Sequence, residues 1–180
     1  MKRWATVLLA AVAMSATAQI PGPNSHRAAN DYQEDDGEKT WQELTLEPPA
    51  FPKQENLREF YVSAVATNKY FIDASTLAVG ADGVVRYVLV VQTSGGATNV
   101  TFEGIHCKER SWKHYASGHS DATWTKSRAT QTVWRPIENK PVNRHHAALS
   151  RDYFCPGGSP IATADEGRNA LRLGKHPAAN

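Results

Sequence analysis

The 180-residue chain lacks the short motifs that usually mark catalytic and metal sites. It has no CxxC pair, which argues against a thiol redox site, and no HxH or HxxxH spacing, which argues against a zinc site. It also has no GxSxG motif, so a serine nucleophile on a strand-to-helix elbow is not indicated. The sequence therefore predicts no catalytic residue, no cofactor and no metal ligand.

Apolar runs long enough to cross a bilayer are missing as well. The run at the N-terminus, Ala5–Met14, is too short, because a spanning helix needs about 20 apolar residues. It follows two basic residues and precedes an Ala-Thr-Ala triplet that ends at Ala18, the pattern of a cleavable secretory signal. We expect removal of residues 1–18, a periplasmic or secreted protein, and no transmembrane segment after cleavage.

The mature chain has no excess of charge of either sign. The sequence holds 20 Lys and Arg against 18 Asp and Glu, and loss of Lys2 and Arg3 with the signal leaves 18 of each. A nucleic-acid-binding protein needs a basic surface to neutralise phosphates. We therefore expect no nucleic-acid partner. The expected partner is an envelope protein or polymer, and the sequence specifies neither its identity nor the oligomeric state.

Cysteine is scarce, and the two that occur, Cys107 and Cys155, both lie in the mature part of the chain. In an oxidising compartment such a pair usually forms a disulfide. A redox or metal-binding pair is the alternative, and the wide spacing disfavours it. His106 precedes Cys107, but neighbouring residues of a strand point to opposite faces, so adjacency does not make a Cys-His dyad.

Short runs rich in β-branched and aromatic residues predict an antiparallel sheet of five or six strands. The runs are Phe60–Ala66, Lys69–Leu77, Val84–Thr93, Thr98–Cys107, Arg110–Ala116 and Ala122–Lys126. Val84–Thr93 is apolar on both alternating sets and should be central in the sheet. It is followed by a Gly-containing loop and a return strand ending in Cys107, which predicts a hairpin.

One helix is predicted over Val142–Phe154, between Pro141 and Pro156. Four residues fall on its apolar face, at Val142, His146, Leu149 and Tyr153. The expected fold is α+β, with this helix packed on the sheet and linked to it by the disulfide. The expected organisation is a signal peptide over 1–18, an extended and largely irregular leader over 19–57, a single domain over 58–158 and a flexible tail over 159–180.

Three sets of side chains are candidates for a site. The acids Asp73, Glu103 and Asp152 lie within apolar or structured segments, and pairing with Arg86, Arg110 or Arg151, or capping of the turn after Asp73, is the interpretation we favour over catalysis. The histidines lack metal spacing, and His146 is expected to pack in the core with one hydrogen-bond partner. The aromatic residues Trp112, Tyr115, Trp124 and Trp134 either belong to the core or line a ligand groove.

Four segments together resemble the CNP-one-like family of uncharacterised exported proteins of Gram-negative proteobacteria. They are FYVSAVATNKYFIDASTL, DGVVRYVLVVQTSGGATNVTFEGIHC, WRPI and HHAALSRDYFC, and they span Phe60 to Cys155. The resemblance implies a location in the cell envelope and brings no catalytic residues with it. The chain is more loosely similar to the surface-adhesin protein E group, from which we transfer no function.

We therefore expect a non-enzymatic binding or structural module of the cell envelope. The alternative is an envelope-acting hydrolase that uses Asp, Glu or His side chains. Convergence of Glu103, Asp152 and any histidine in one cleft would favour the hydrolase.

Overall fold

The structure is a computed structural model that describes residues 40–128, 133–141 and 144–179. The described strands are β1 Leu57–Glu59, β2 Lys69–Asp73, β3 Ala78–Val79, β4 Val84–Gln92, β5 Thr98–His106, β6 Ser111–Gly118, β7 Trp124–Lys126 and β8 Arg135–Pro136. Six of them form an antiparallel sheet in the order β1-β2-β4-β5-β6-β7, with β3 paired to β4 and β8 paired to β6. This confirms the predicted α+β fold, and the two additional strands are two-residue pieces that have no periodicity to detect.

Strands β4 and β5 form the central hairpin. Their register runs from Val84 opposite His106 to Gln92 opposite Thr98. Every residue from Val84 to Val90 is buried, so both faces of β4 are covered, as its two apolar sets predict. The connecting loop contains Gly96 at φ 87°, a left-handed conformation that glycine adopts without steric cost.

A helical layer covers one face of the sheet. Its elements are α1 Arg144–Ala148, a π-helix Leu149–Phe154, a 3₁₀ turn Pro156–Gly158 and α2 Ala164–Leu173. The sheet residues Val85, Tyr87, Leu89 and Ile105 are buried in one apolar core together with the helical residues Leu149, Tyr153 and Phe154. The predicted disulfide joins Cys107, directly after β5, to Cys155 at the end of the π-helix, with Cα atoms 5.5 Å apart.

Residues 40–51, which we call the N-terminal strap, lie on the opposite face of the sheet and form no regular secondary structure. Asp82 and Arg86 bind one residue of the strap by its main chain: the Leu44 N–H donates to Asp82 Oδ2 (2.9 Å), and Arg86 donates to the Leu44 carbonyl (3.1 Å). Further along, the Trp124 indole donates to the Pro49 carbonyl (3.0 Å). The strap thus covers the second face without adding a strand.

The run Phe60–Ala66, which we expected to be a strand, is irregular. The Phe60 N–H still donates to the Tyr70 carbonyl, but the chain then leaves the sheet and turns, with the Ala66 N–H donating to the Ser63 carbonyl. Phe60 and Val62 are buried, whereas Tyr61 is 65% exposed. Burial therefore alternates along Phe60–Val62 as in a strand, although this segment is not part of the sheet. The strand in this region is the preceding segment, β1.

In the described part of the predicted helix over Val142–Phe154, residues Arg144–Ala148 form the α-helix α1. The second half of the predicted helix is a π-helix, in which the Cys155 N–H closes a five-residue repeat onto the Ser150 carbonyl (2.9 Å). His146, Leu149 and Tyr153 are buried as predicted, while Val142 lies outside the described residues. The wider π-helical turn rotates the following residues relative to an α-helix, and Phe154 is buried as well. A search for apolar residues at the α-helical period of 3.6 does not detect this rotation.

The tail that we expected to be flexible contains the helix α2. Thr163 accepts the Glu166 N–H at its N-terminus (3.2 Å), and Gly174 ends it at φ 79°. Its buried residues include Gly167, Ala170 and Leu171. The spacing of Thr163, Glu166 and Gly174 is a start and stop signal that could have been detected in the sequence. The proposed signal peptide and the leader up to residue 39 lie outside the described residues.

Candidate functional site

A cleft of about 540 Å³ opens between the sheet and α1. Strands β4 to β8 contribute lining residues on the sheet side, and α1 contributes two consecutive histidines. Its polar lining includes Thr101, Glu103, His114, Ser117, Lys126, Ser127, Arg135, His145 and His146, together with Trp112. We call it the histidine cleft.

Glu103 and His146 form a buried pair within the cleft. Glu103 is 3% exposed and His146 is 1% exposed, and Glu103 Oε2 lies 2.8 Å from His146 Nε2. Thr101 donates to the other carboxylate oxygen (2.9 Å), and the Tyr87 hydroxyl lies 3.4 Å from Oε2. Burial alone would raise the pKa of Glu103, but the charge and hydrogen bond of His146 outweigh it and lower that pKa. Glu103 is therefore ionised near neutral pH, with both oxygens engaged.

The expected partner of Glu103 was an arginine, and the structure corrects this. Arg86 lies on the strap side of the sheet and pairs with Asp82 (2.6 Å). The two other acids behave as expected: Asp152 pairs with Arg151 (2.6 Å), and Asp73 Oδ1 accepts the Ser75 N–H (2.9 Å) in the following turn. Neither is a lining residue of the histidine cleft.

Aromatic rings and one guanidinium are in successive contact along the cleft. The ring centroids of His146 and Trp112 lie 3.8 Å apart and those of His145 and His146 lie 4.0 Å apart. Tyr70 stacks on His145 (5.2 Å), and the Arg135 guanidinium lies over the Trp112 ring (5.6 Å). The Trp112 ring is therefore already in contact with both His146 and Arg135.

His114 lies on the same face of β6 as Trp112 and contacts two serines. Its Nδ1 lies 2.5 Å from Ser127 Oγ, and its Nε2 lies 3.1 Å from Ser117 Oγ. Burial lowers the pKa of His114, and nearby Arg135 and His146 lower it further, against the opposing influence of Glu103. A neutral imidazole with one donor and one acceptor fits a hydroxyl at each nitrogen.

Three buried nitrogens at the cleft have no hydrogen-bond partner among the described residues: Trp112 Nε1, His145 Nδ1 and His146 Nδ1. Burial and the neighbouring His146 lower the pKa of His145 to about 4, so its ring is neutral at physiological pH. An unsatisfied buried polar group costs about 1–3 kcal/mol. Across the described chain, Arg86 Nε is the one further side-chain atom of this kind, so the unsatisfied groups concentrate at this cleft.

The four aromatic residues proposed as a groove do not lie together. Trp112 belongs to the histidine cleft, whereas Tyr115, Trp124 and Trp134 face the strap. The Tyr115 hydroxyl donates to Glu43 (2.8 Å), and the Trp134 indole donates to the same carboxylate (3.3 Å). On this face the chain's own strap occupies the aromatic surface.

His106 and Cys107 point to opposite sides, as strand geometry predicts. His106 stacks on Trp41 of the strap with centroids 4.7 Å apart, while Cys107 is bonded to Cys155. Within the described residues, no three His, Cys, Asp or Glu side chains are arranged to hold a metal ion. Arg135, Ser127 and His145 were not identified as site residues, because no spacing in the sequence links β7, β8 and α1.

The fold and the cleft define an α+β protein with a disulfide-linked helical layer and a histidine-rich cleft on one side of its sheet. The sequence matches the CNP1-like family over residues 36–172, and the chain belongs to that family. It is 30% identical over 108 residues to Cryptic neisserial protein 1 of Neisseria gonorrhoeae. That match covers 53% of this chain and 52% of the relative, so the chain spans about half of the relative's length. No solved structure matches the chain. None of the described helices has the length and apolar character needed to cross a membrane.

Proposed function

We propose that this protein is exported to the cell envelope and binds a small polar ligand in the histidine cleft without transforming it. The observation that carries this proposal is the group of three unpartnered buried nitrogens on residues that line one cleft. A ligand with hydrogen-bonding groups would satisfy them and recover their desolvation cost.

Binding accounts for the geometry better than catalysis by the Glu103–His146 pair. A general base must reach the proton that it removes. The remaining nitrogen of His146, Nδ1, is buried, and its ring is flanked by Trp112 and His145. The convergence that would favour a hydrolase is also incomplete, because Asp152 does not line the cleft.

The indole N–H groups provide a direct test. The chain has five tryptophans, and loss of Trp4 with the signal leaves four. We would titrate ¹⁵N-labelled mature protein with fractionated small-molecule extract of the cell envelope and follow the indole resonances. The resonance of Trp112, assigned with Trp112→Phe, should move, while those of Trp124 and Trp134 on the strap face should stay. If no fraction moves Trp112, or if all the indoles move equally, the proposal fails.

Export is supported by the signal pattern before Ala18 and by the disulfide, which fits a periplasmic or extracellular protein. Mass spectrometry of the protein recovered from the periplasm should give Gln19 as the first residue. An intact Met1 on that protein would contradict the proposed processing.

A second candidate function is hydrolysis of an ester in the same cleft, favoured by the contact of 2.5 Å between Ser127 Oγ and His114 Nδ1. In such a reaction His114 would take the Ser127 proton as Oγ attacks the ester carbonyl, and would return it to the departing alcohol; water would then release the acid. A fluorophosphonate probe should label the protein and not Ser127→Ala. Absence of labelling in the folded protein would leave ligand binding as the function.

A further inference from the structure

Arg135 is the cation of the histidine cleft that has no counter-charge among the residues that the structure describes. The other lysine or arginine in the lining, Lys126, forms an ion pair with Glu47 of the strap. The Arg135 side chain forms no hydrogen bond or ion pair with any described residue, and it lies over the ring of Trp112. A guanidinium carries five N–H donors in a planar fork that matches a carboxylate or a phosphate.

Trp112 adds a second unused donor next to Arg135. The two residues are paired directly across β6 and β8. Trp112 is only 7% exposed, and its Nε1–H has no acceptor among the described residues. An indole nitrogen can only donate, so the group that satisfies it must be an acceptor.

The carboxylate of the cleft does not supply that acceptor. Glu103 already receives hydrogen bonds from His146 and Thr101, with Tyr87 beside it. Both oxygens of the Glu103 carboxylate are therefore already hydrogen-bonded within the protein, and this carboxylate does not pair with the Arg135 guanidinium at the rim of the cleft. The cleft thus combines an unpaired guanidinium with a buried indole donor, and no anionic side chain in the described part of the chain contacts either of them.

We propose that the histidine cleft binds a small molecule through an oxyanion group, a carboxylate or a phosphate, which accepts hydrogen bonds from Arg135 and from Trp112 Nε1. The inference rests on the proposed binding function and specifies the chemistry of the ligand. The stack of Trp112 on His146 fixes the direction of the indole donor, and pairing of β8 with β6 places the guanidinium over the same ring.

Simple anions can test this without knowledge of the natural ligand. At constant ionic strength, acetate, inorganic phosphate and the neutral analogue acetamide would be titrated into the mature protein while the Trp112 indole resonance is followed. Acetate or phosphate should shift it saturably in the millimolar range, and acetamide should not. The stronger of the two anions identifies the oxyanion as carboxylate or phosphate.

The variant Arg135→Gln should weaken anion binding at least fivefold. Arg135 is exposed at the rim, so the fold should tolerate the change, which unchanged amide resonances elsewhere would verify. The matched control is Arg172→Gln, which removes an exposed arginine of α2 that contacts Asn169. Equal binding by Arg135→Gln and by the original protein would overturn the proposal.

Failure of this inference can be told apart from failure of the binding function. If an envelope fraction moves the Trp112 resonance but neither anion does, the cleft binds a ligand of another chemistry and the oxyanion proposal is wrong. If acetamide acts as strongly as acetate, hydrogen bonding without charge explains the site, and the role of Arg135 is refuted.

Discussion

Replacing Asp82 by alanine should destabilise the protein more than any exposed acidic substitution. The side chains of Asp82 and Arg86 are 1% and 2% exposed, and their closest atoms lie 2.6 Å apart. Asp82 also accepts hydrogen bonds from the backbone N–H groups of Leu44 (2.9 Å) and Val84 (3.3 Å). Its loss would leave a buried guanidinium without its counter-charge and would free one end of the strap.

The magnitude follows from the burial of both charges. Removing one partner of a buried ion pair costs about 3–5 kcal/mol, a large part of the 5–15 kcal/mol that stabilises a typical domain. Arg86 cannot escape the cost by losing its proton, because arginine stays charged in proteins. Asp121→Ala is the matched control: Asp121 is exposed and accepts a hydrogen bond from the Thr123 N–H in a turn, so its loss should destabilise the protein much less than the loss of Asp82.

Urea unfolding followed by circular dichroism measures the free energies, and limited proteolysis reports on the strap. Asp82→Ala should lose about 3–5 kcal/mol and become cleavable between residues 40 and 51. A loss below about 1 kcal/mol, or one equal to that of Asp121→Ala, would refute the view that this pair holds the strap.

The same pair predicts a pH dependence. Burial opposes ionisation of Asp82, but the hydrogen bonds and charge of Arg86 and the backbone N–H groups outweigh it, lowering the pKa from 3.8 to about 2. Because folding lowers this pKa, the stabilisation is complete above about pH 4 and disappears as the pH falls towards 2. It amounts to about 2 kcal/mol, and Asp82→Ala should lack this part of the acid destabilisation.

Two further predictions concern the helical layer. Reduction of the Cys107–Cys155 bond, whose cysteines are 48 residues apart, should lower the unfolding free energy by about 4 kcal/mol, and thiol titration of the denatured, unreduced protein should find no free thiol. Gly167→Ala should destabilise by about 1–3 kcal/mol in urea unfolding, since its Cβ would lie 2.6 Å from atoms of both Ile161 and Leu77. An alanine at an exposed position of α2 is the control, and a stabilised Gly167→Ala would contradict this packing.

The sequence predicts the centre of the fold well because several signals agree there. In β4 the two apolar sets, the following glycine-containing loop and the return strand all indicate one hairpin, and the structure has it. The disulfide was predictable because the chain has two cysteines and is expected to enter an oxidising compartment. Where the signals are weaker the expectations fail: Phe60–Ala66 has the residues of a strand but leaves the sheet after the hydrogen bond of Phe60, and α2 was overlooked although Thr163 and Gly174 mark its ends.

The candidate site was much less predictable, because its residues come together only through tertiary structure. Glu103 was recognised as a buried acid, but its partner His146 lies 43 residues away on a helix. The two-residue strand β8 pairs with β6 and places Arg135 over Trp112, and nothing in the local sequence predicts this pairing. The aromatic groove failed for the opposite reason: an aromatic cluster on a sheet looks the same in sequence whether a ligand or the chain itself covers it.

The location of the second cysteine has a consequence for the order of events during synthesis. The central hairpin lies in the middle of the chain, the strap precedes it and the helical layer follows it. As the chain emerges from its N-terminus, the strap face of the sheet can close early, whereas the helical face must wait for the last part of the chain. Cys107 therefore has no partner within the chain until 48 more residues have been made, and the helical face of the sheet has no cover over the same interval.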